Sequence, residues 1–262
     1  PNASRAMAEQ RIVVLAGPGA PSNILVHSLR SHFQLAGVIM EGPQDKWQLL
    51  KRRAARIGWM KTTGQVFFLL AVVPILKWTS AKRRNEILRS HGLNEGALPE
   101  TGVTHVMSVN DDSTIAALQG LRPDVVVVSG TRVIRHQLLS AVDVPFLNIH
   151  AGITPRYRGI HGLYWALMND DAANAGVTVH LVDKGIDTGG VIAQAHVPHA
   201  PADNFTTYPL LQLAKGIELL TAALHDHADG KFNGHRREMD SRLWHHPTLL
   251  QYLTGRWRKG VK

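Results

Sequence analysis

The chain of 262 residues contains no cysteine at all. Disulfide bonds, thiol nucleophiles and cysteine-ligated zinc are therefore excluded, and this composition is typical of a cytoplasmic protein. Residues 1–11 are polar and lack the apolar stretch of a signal peptide, so we predict no such peptide there. Hydrophobic residues make up 44% of the chain, which is enough to bury the core of one large domain.

Acidic residues are almost absent from one segment of the chain. Residues 46–89 contain eleven Lys or Arg side chains and a single acid, Glu86, whereas the whole chain has a net charge of +9. The segment therefore carries a charge of +10, and the remainder is close to neutral. A basic patch on an otherwise neutral chain indicates an interaction confined to that segment more than it indicates a nucleic-acid-binding protein.

The centre of this basic segment is apolar. Val66–Leu76 is an unbroken apolar run of eleven residues, and as a helix it would be about 16 Å long, shorter than the roughly 30 Å hydrocarbon core of a bilayer. We therefore expect no transmembrane span, and we expect helices and no strand between residues 44 and 92. Three uses of the run stay open: peripheral contact with a membrane through residues 46–89, the interface of a homodimer, or packing on the core.

Strands and helices alternate along the rest of the chain. This alternation predicts an α/β fold with a Rossmann-like, mostly parallel sheet flanked by helices, in which ligands bind beyond the carboxyl ends of the strands. We expect a main domain over residues 11–231, the helical basic insert at 44–92 within it, and a C-terminal extension at 232–262. The predicted strands are Arg11–Ala16, Gln34–Met40, Val103–Met107, Val125–Ser129, Val144–Ile149, Val177–Val182 and Val191–Val197.

The segment Phe146–His150 combines a buried strand with polar residues. Alternate residues of a strand point to the same face, about 6.6 Å apart, so Asn148 and His150 project into the same cleft. A later glycine-rich loop carries Asp187. An amide that can polarise an oxygen, a titratable imidazole and a carboxylate form a candidate acyl-transfer site, although a hydrogen-bonded core Asn and His with a turn Asp would give the same pattern.

A glycine-rich turn follows the first strand. Residues 17–23 lead into a helix for which Ser22 or Asn23 would be the N-cap, and a strand, turn and helix N-terminus together can bind an anion. Two prolines in the turn remove N–H donors, and the pattern is not the dinucleotide fingerprint. Gly19 and Asn23 are therefore candidates for contact with a substrate phosphate, with ordinary turn chemistry as the alternative.

The run Leu147–Gly159 contains Asn-x-His, a loop with a proline and a terminal glycine, and it is followed later by Asp187-Thr188-Gly189. These elements, in this order, resemble the signature of the folate-dependent formyltransferases, a family that includes the glycinamide ribonucleotide, methionyl-tRNA and sugar-nucleotide enzymes. The resemblance covers residues 11–231. The loop departs from the usual family form, because Ala151–Pro155 reads Ala-Gly-Ile-Thr-Pro where Pro-Ser-Leu-Leu-Pro is common. This departure bears on the identity of the acceptor more than on the chemistry of formyl transfer.

The resemblance implies an enzyme that moves a formyl group from 10-formyltetrahydrofolate to a primary amine, without a metal. Asn148 would donate its amide to the formyl oxygen, His150 would be a second polariser or a proton shuttle, and Asp187 would hold the imidazole and relay the proton of the amine. The pterin would lie between two loops. The residues implied in this contact are Gly130, Thr131, Arg132, Val133 and Ile134 on one side and Asp183 and Gly185 on the other.

Tyr157, Arg158 and His161 follow the catalytic strand, on the expected acceptor side. Arg158 would pair with a phosphate or carboxylate and Tyr157 would stack on a ring, unless these residues are structural. We expect a nucleotide-activated amino sugar as the acceptor. The alternatives are a glycinamide ribonucleotide formyltransferase, a formyltetrahydrofolate hydrolase or a non-catalytic folate-binding protein. Transfer RNA is disfavoured, because residues 232–262 are too few for the C-terminal domain with which the methionyl-tRNA enzymes bind it.

Overall fold

A computed structural model describes residues 10–262 of the chain, so the prediction for the first nine residues lies outside the described part. Seven strands form one sheet in the order β3-β2-β1-β4-β5-β7-β8, and β6 and β9 form a separate pair. The first five strands run parallel, and β7 and β8 close one edge in antiparallel orientation. The strands are β1 (Ile12–Ala16), β2 (Leu35–Glu41), β3 (Val103–Val106), β4 (Val125–Ser129), β5 (Phe146–His150), β6 (Arg158–Gly159), β7 (Gly176–Leu181), β8 (Val191–His196) and β9 (Leu243–Trp244).

Helices cover both faces of the sheet, so the predicted Rossmann-like, mostly parallel α/β fold is confirmed. The central strands β1 and β4 are buried on both faces, which explains why they read as continuous apolar runs without alternation. The helices are α1 (Ala20–Arg30), α2 (Lys46–Ile57), α3 (Trp59–Thr79), α4 (Ala81–Ser90), α5 (Asp112–Leu121), α6 (His136–Leu139), α7 (Gly162–Met168), α8 (Tyr208–Ala228) and α9 (Leu249–Lys259).

The apolar run Val66–Leu76 lies inside a longer helix. Helix α3 continues for 21 residues, which corresponds to about 31 Å, so its length and composition suffice to cross a bilayer. The prediction that the helix is only about 16 Å long was wrong, because it counted only the unbroken apolar residues. Pro74 stays within the helix because a π turn at Phe68–Val72 precedes it, and a widened turn accommodates the proline ring.

Helix α8 fixes the position of β5, the strand that carries Asn148 and His150. It crosses β5 and β7 at Gly216, where an added Cβ atom would lie 2.3 Å from Cγ2 of Ile149. A side chain at this position would push the helix away from the strand. The close approach therefore holds β5 in a fixed position against the helix.

Candidate active site

A cavity of about 480 Å³ opens beyond the carboxyl ends of β4 and β5. Asn148 and His150 on β5, and Asp187 on the loop after β7, all line it. Other residues that the sequence singled out also border this cavity, while some lie elsewhere. Those that border it are Gly130, Thr131, Arg132, Val133, Ile134, His161, Asp183 and Gly185.

Asn148 pairs across the sheet with His180, a residue to which the sequence patterns assign no role. The two residues are direct neighbours in the antiparallel pairing of β5 and β7, and Nδ2 of Asn148 lies 3.2 Å from Nε2 of His180. Nδ1 of His180 lies 2.7 Å from the carbonyl oxygen of Leu181. Since a carbonyl can only accept, Nδ1 carries the proton and Nε2 accepts from the amide of Asn148. The second amide hydrogen of Asn148 is left for the cavity.

His150 is held through both ring nitrogens. Nε2 donates to the carbonyl oxygen of Tyr157 over 2.6 Å, and Nδ1 lies 3.3 Å from Oδ2 of Asp187. Burial opposes protonation of this imidazole, but the hydrogen bond to Asp187 and its negative charge outweigh burial and raise the pKa of His150. The ring is therefore an imidazolium over a wider pH range than an ordinary histidine.

Asp187 is the centre of the polar cluster. Its Oδ2 accepts from the backbone N–H of Gly159 over 2.8 Å, and its Oδ1 lies 3.6 Å from Nε2 of His180. Burial would raise the pKa of Asp187, but the contacts with the His150 and His180 rings and the hydrogen bond from the N–H of Gly159 lower it far below its usual range. The carboxylate is thus ionised beside an imidazole, at the wall of a cavity.

The loop that contains Asp187 is shaped by its own side chains. Oδ1 of Asp183 accepts from the N–H of Gly185 over 2.9 Å and from Oγ1 of Thr188 over 2.6 Å. These bonds close the turn that directs Asp187, itself at φ 52°, towards His150. Asp183 and Gly185 line the cavity, but the carboxylate of Asp183 is used to shape the loop.

The opposite wall is the loop that follows β4. Gly130 has φ 66°, a left-handed conformation that suits glycine, and the loop continues along the cavity to Ile134. The Arg132 side chain does not point freely into the cavity, because its Nε donates to the carboxylate of the buried Glu41 over 2.8 Å. The backbone N–H of Arg132 donates to the same carboxylate over 2.6 Å. Arg132 and Glu41 therefore fix the loop, and Val133 is exposed at its tip.

Tyr157 and Arg158 lie outside the cavity, contrary to the expectation that they face the acceptor. Tyr157 is buried, its hydroxyl donates to Asp171 over 2.8 Å, and its ring stacks on Trp244. The guanidinium of Arg158 donates to the carbonyl of Ile186 over 3.1 Å. These interactions come from C-terminal and loop residues that are distant in sequence, so position in the sequence alone could not reveal them.

The glycine-rich turn is also engaged in the fold. Helix α1 begins at Ala20 with Gly19 as its N-cap and without a side-chain cap, so the prediction that Ser22 or Asn23 caps the helix was wrong. Pro21 is accepted in the first turn. The amide of Asn23 lies 3.4 Å from the carbonyl of Glu95, and only Pro21 of this turn borders the cavity.

His161 borders the cavity and pairs with His246. Nε2 of His161 lies 3.0 Å from Nδ1 of His246. Burial lowers the pKa of His161 to about 3, and burial together with the charge of Arg53 lowers the pKa of His246 to about 4. Both rings are therefore neutral at neutral pH, and this side of the cavity presents an uncharged surface.

Comparison with known proteins agrees with this fold. Residues 81–222, more than half of the chain, match the family described as Formyl transferase. A methionyl-tRNA formyltransferase of Chlorobium luteolum is 33% identical over 129 residues, which are 49% of this chain and 41% of the relative. One from a Roseiflexus species is 35% identical over 126 residues, 47% of this chain and 38% of the relative. The matches thus span about two fifths of these relatives.

Two solved structures show the same fold at low sequence identity. A sugar N-formyltransferase from a Shewanella species has a TM-score of 0.54 at 16% identity, covering 89% of this chain and 76% of its own. Glycinamide ribonucleotide transformylase 1 from Symbiobacterium toebii has a TM-score of 0.53 at 21% identity, covering 84% and 89%. Fold and cavity together define an α/β protein of the formyltransferase fold. With the match over residues 81–222, the chain belongs to the formyl transferase family.

Proposed function

We propose that this chain is a cytoplasmic N-formyltransferase that moves a formyl group from 10-formyltetrahydrofolate to the primary amine of a small anionic acceptor. The observation that carries the proposal is the convergence of Asn148, His150 and Asp187 on one cavity. A binding protein has no need of a raised-pKa imidazole beside an ionised carboxylate, whereas acyl transfer uses both. In this proposal residues 11–231 are the catalytic domain.

The walls of the cavity suit the pterin ring of the donor. Val133 is a large apolar side chain left 62% exposed, and Ile134 and Val182 line the cavity beside it. A flat ring would cover this apolar surface. The backbone groups of the loop from Gly130 offer hydrogen bonds to the ring edge, and the opposite loop around Asp183 closes the other side.

The chemistry follows from the charges around the cavity. The amine nitrogen attacks the formyl carbon, the new C–N bond forms, and the formyl oxygen becomes an oxyanion that accepts from the free amide hydrogen of Asn148 and is stabilised by the positive charge of the His150 imidazolium. The proton that the amine loses is relayed through a water that Asp187 orients. The carbon–nitrogen bond to the folate then breaks, and the folate nitrogen takes up this proton.

The preferred acceptor is a nucleotide-activated amino sugar. Ile160 and the neutral His161 border the cavity and offer an uncharged surface to a sugar ring. Glycinamide ribonucleotide is less favoured, because the amide of Asn23 is engaged with Glu95 and the prolines of the same turn remove donors for a phosphate. A lipid-linked amino sugar belongs to the same chemical class as the preferred acceptor, because it too carries a primary amine on a sugar ring.

The test is the release of tetrahydrofolate from 10-formyltetrahydrofolate with a panel of amines. The panel contains amino-sugar nucleotides, glycinamide ribonucleotide and simple amino acids. We expect release that depends on one amine and that falls on the order of 10²–10³ in Asn148→Ala, which removes an oxyanion donor. The matched control is Asn85→Ala, an exposed asparagine on α4, which should retain the full rate.

Each other outcome identifies a different function. Release without any amine would indicate a formyltetrahydrofolate hydrolase that uses water as the acceptor. Folate binding without turnover by any amine would indicate a non-catalytic folate-binding protein. A full rate in Asn148→Ala would overturn the role given to the cluster.

A further inference from the structure

Helix α3 presents an apolar face to solvent. Met60, Phe67, Leu70, Ile75 and Trp78 are between 60% and 88% exposed. They lie on the side of the helix away from the buried residues Thr62, Gln65 and Phe68. Only 22% of the most apolar stretch of α3 is buried. We call these five residues the apolar face.

The C-terminal helix α9 adds a second stripe beside it. Leu250, Leu253 and Trp257 are exposed and lie three and seven residues apart, hence on one side of that helix. The two helices are in contact, because a Cβ atom added to Gly64 of α3 would lie 3.1 Å from Cβ of Thr248 at the start of α9. Two neighbouring helices thus leave large apolar side chains uncovered, more than a water-facing surface normally carries.

Cations border both stripes. Lys61 and Lys77 flank the apolar face, and Arg256 and Arg258 flank the stripe on α9, all exposed. Within residues 10–262, only Arg83 and Arg84 of the eleven basic residues of the insert form ion pairs. The remaining charges have no carboxylate partner in the part of the chain that the structure describes. The border of the face is therefore strongly positive.

The exposed threonine hydroxyls beside the apolar face already form hydrogen bonds within the helix. The hydroxyl of Thr63 donates to the carbonyl of Trp59 over 3.0 Å, and the hydroxyl of Thr79 donates to the carbonyl of Ile75 over 2.9 Å. These threonines therefore place no unbonded donor at the surface. A helix face of this kind can enter an apolar phase without losing hydrogen bonds to water.

The opposite side of α3 is fixed to the protein. Gln65 is buried and its amide donates to the carbonyl of His246 over 2.6 Å, and Ser80 at the helix end bonds Thr206 over 3.0 Å. The ring of Phe68 packs against Phe205 at 4.9 Å between centroids. The helix cannot be surrounded by lipid without losing these contacts, so it lies along the protein with one side exposed, although it is long enough to cross a bilayer.

We propose that the apolar face and the stripe on α9 dock this protein on the interface of an anionic phospholipid bilayer. The charge around the face selects this occupant over a second copy of the chain. A two-fold interface would bring the positive border of one copy onto that of the other, whereas anionic headgroups neutralise it. Exposed Trp59, Trp78 and Trp257 are the residues that settle at the headgroup level. The inference does not depend on the proposed function.

The experiment is flotation of the full chain with vesicles of phosphatidylcholine alone and with added phosphatidylglycerol. We expect binding that needs phosphatidylglycerol and weakens with salt. The double variant Leu70→Glu with Ile75→Glu should reduce the bound fraction on the order of ten-fold or more. The matched control is Met107→Glu, an equally exposed apolar residue outside the face, which should bind as the wild type does.

Two further measurements make the outcome decisive. Brominated lipids should quench the tryptophan fluorescence of the wild type more than that of Trp78→Phe. This difference would show that the apolar face enters the bilayer. Sedimentation velocity without lipid, with circular dichroism of each variant, establishes whether the chain is a folded monomer. Vesicle binding is measured without folate, so its failure is distinguishable from failure of the formyl transfer.

The proposal is overturned by any of three results. One is the absence of binding to phosphatidylglycerol vesicles. Another is unchanged binding of a folded Leu70→Glu, Ile75→Glu variant. The third is a dimer of the wild type that this variant dissociates, because the face would then be a subunit interface.

Discussion

At the scale of single residues, Asp187 organises the candidate site. It contacts His150, His180 and the N–H of Gly159, so three different segments meet at one carboxylate. Its pKa is lowered and that of His150 is raised. The two shifts describe the same interaction, which favours the ionic form of both partners, and the charge of Asp187 is therefore the origin of the basicity of His150.

Replacing Asp187 should change the pH at which His150 titrates. In Asp187→Asn the negative charge is gone while burial remains, and burial lowers the pKa of an imidazole, so the titration of His150 should move to lower pH. The contribution of the raised pKa to stability is complete below about pH 6.5 and is lost as pH rises through the folded-state pKa. A rate that needs the imidazolium should decline over the same range, and earlier in the variant.

Nuclear magnetic resonance of the His150 ring protons, together with the pH–rate profile, measures this shift. His150→Gln identifies the resonance. A titration midpoint that is the same in Asp187→Asn and in the wild type would contradict the assignment of the charge to Asp187.

His180 is a positioning residue, because it accepts from the amide of Asn148 and so orients it. His180→Ala should lower kcat on the order of five-fold, corresponding to one net hydrogen bond of about 1 kcal/mol, with KM for the donor unchanged. His180→Gln should recover part of the rate, because its amide oxygen can accept from Asn148. A loss as large as that of Asn148→Ala would instead place His180 in the chemistry itself.

The sequence predicts Asn148, His150 and Asp187 as a group, and the structure brings them together. It could not predict His180, whose partnership with Asn148 depends on the antiparallel register of β5 and β7. Nothing local in the run Gly176–Leu181 encodes that register, although a single histidine in a buried apolar strand was a usable signal. The roles of Tyr157 and Arg158 were missed for the same reason, since their partners are far away in sequence.

At the scale of elements, the short strand β6 connects the cavity to the C-terminal segment. It pairs with β9 at Leu243 and Trp244, and Gly159 within it donates to Asp187. Gly159 has φ 95°, and a Cβ atom added there would lie 2.2 Å from the carbonyl oxygen of Trp244. Only glycine allows the two strands to come this close while the N–H points at the carboxylate.

Gly159→Ala should therefore destabilise the protein and reduce formyl transfer. The control is Gly58→Ala, because Gly58 also has a positive φ, 85°, but a Cβ atom added there would have no neighbour within 4 Å. We expect a loss of about 1–3 kcal/mol in the free energy of unfolding at Gly159, and a smaller loss with full activity at Gly58. Urea titrations of both variants measure the change in the free energy of unfolding. Equal losses in the two variants would show that backbone strain alone is responsible.

The elements also differ in how well sequence patterns predict them. The strand Val125–Ser129 agrees with its prediction residue for residue, because a strand buried on both faces is an apolar run with clear ends. Helix α3 was underestimated, because its polar buried residues Thr62 and Gln65 interrupt the apolar pattern. The hydroxyl of Thr62 donates to the carbonyl of Gly58 within the helix, whereas Gln65 donates to the distant carbonyl of His246, which only the tertiary structure explains.

At the scale of the whole molecule, an ion pair with a buried carboxylate ties the basic insert to the rest of the chain. Nε of Arg83 lies 2.8 Å from Oδ1 of Asp203, whose side chain is fully buried. Burial would raise the pKa of Asp203, but the hydrogen bond from Arg83 lowers it. Asp203 in turn accepts from the N–H of Ala200 and from Oγ1 of Thr207, ahead of helix α8.

Removing Arg83 should leave this buried carboxylate without its cation. Arg83→Met should cost about 3 kcal/mol in the free energy of unfolding at neutral pH. The contribution of the lowered pKa is present above about pH 3.9 and is lost as pH falls through the folded-state pKa, so the difference from the wild type should shrink in acid. Arg84 pairs with Glu95, which is 40% exposed, so Arg84→Met should lower the free energy of unfolding by at most about 1 kcal/mol. Equal costs in urea titrations at two pH values would contradict this account.

The pairing of β6 with β9 has a consequence for the order in which the molecule is made. Synthesis proceeds from the N-terminus, so Asn148, His150 and Asp187 leave the ribosome before Trp244 does. The turn that presents the Gly159 N–H to Asp187 is completed only when Trp244 arrives beside it. In a nascent chain the apolar residues of helix α3 therefore leave the ribosome well before the carboxylate of Asp187 is fully held by the Gly159 N–H.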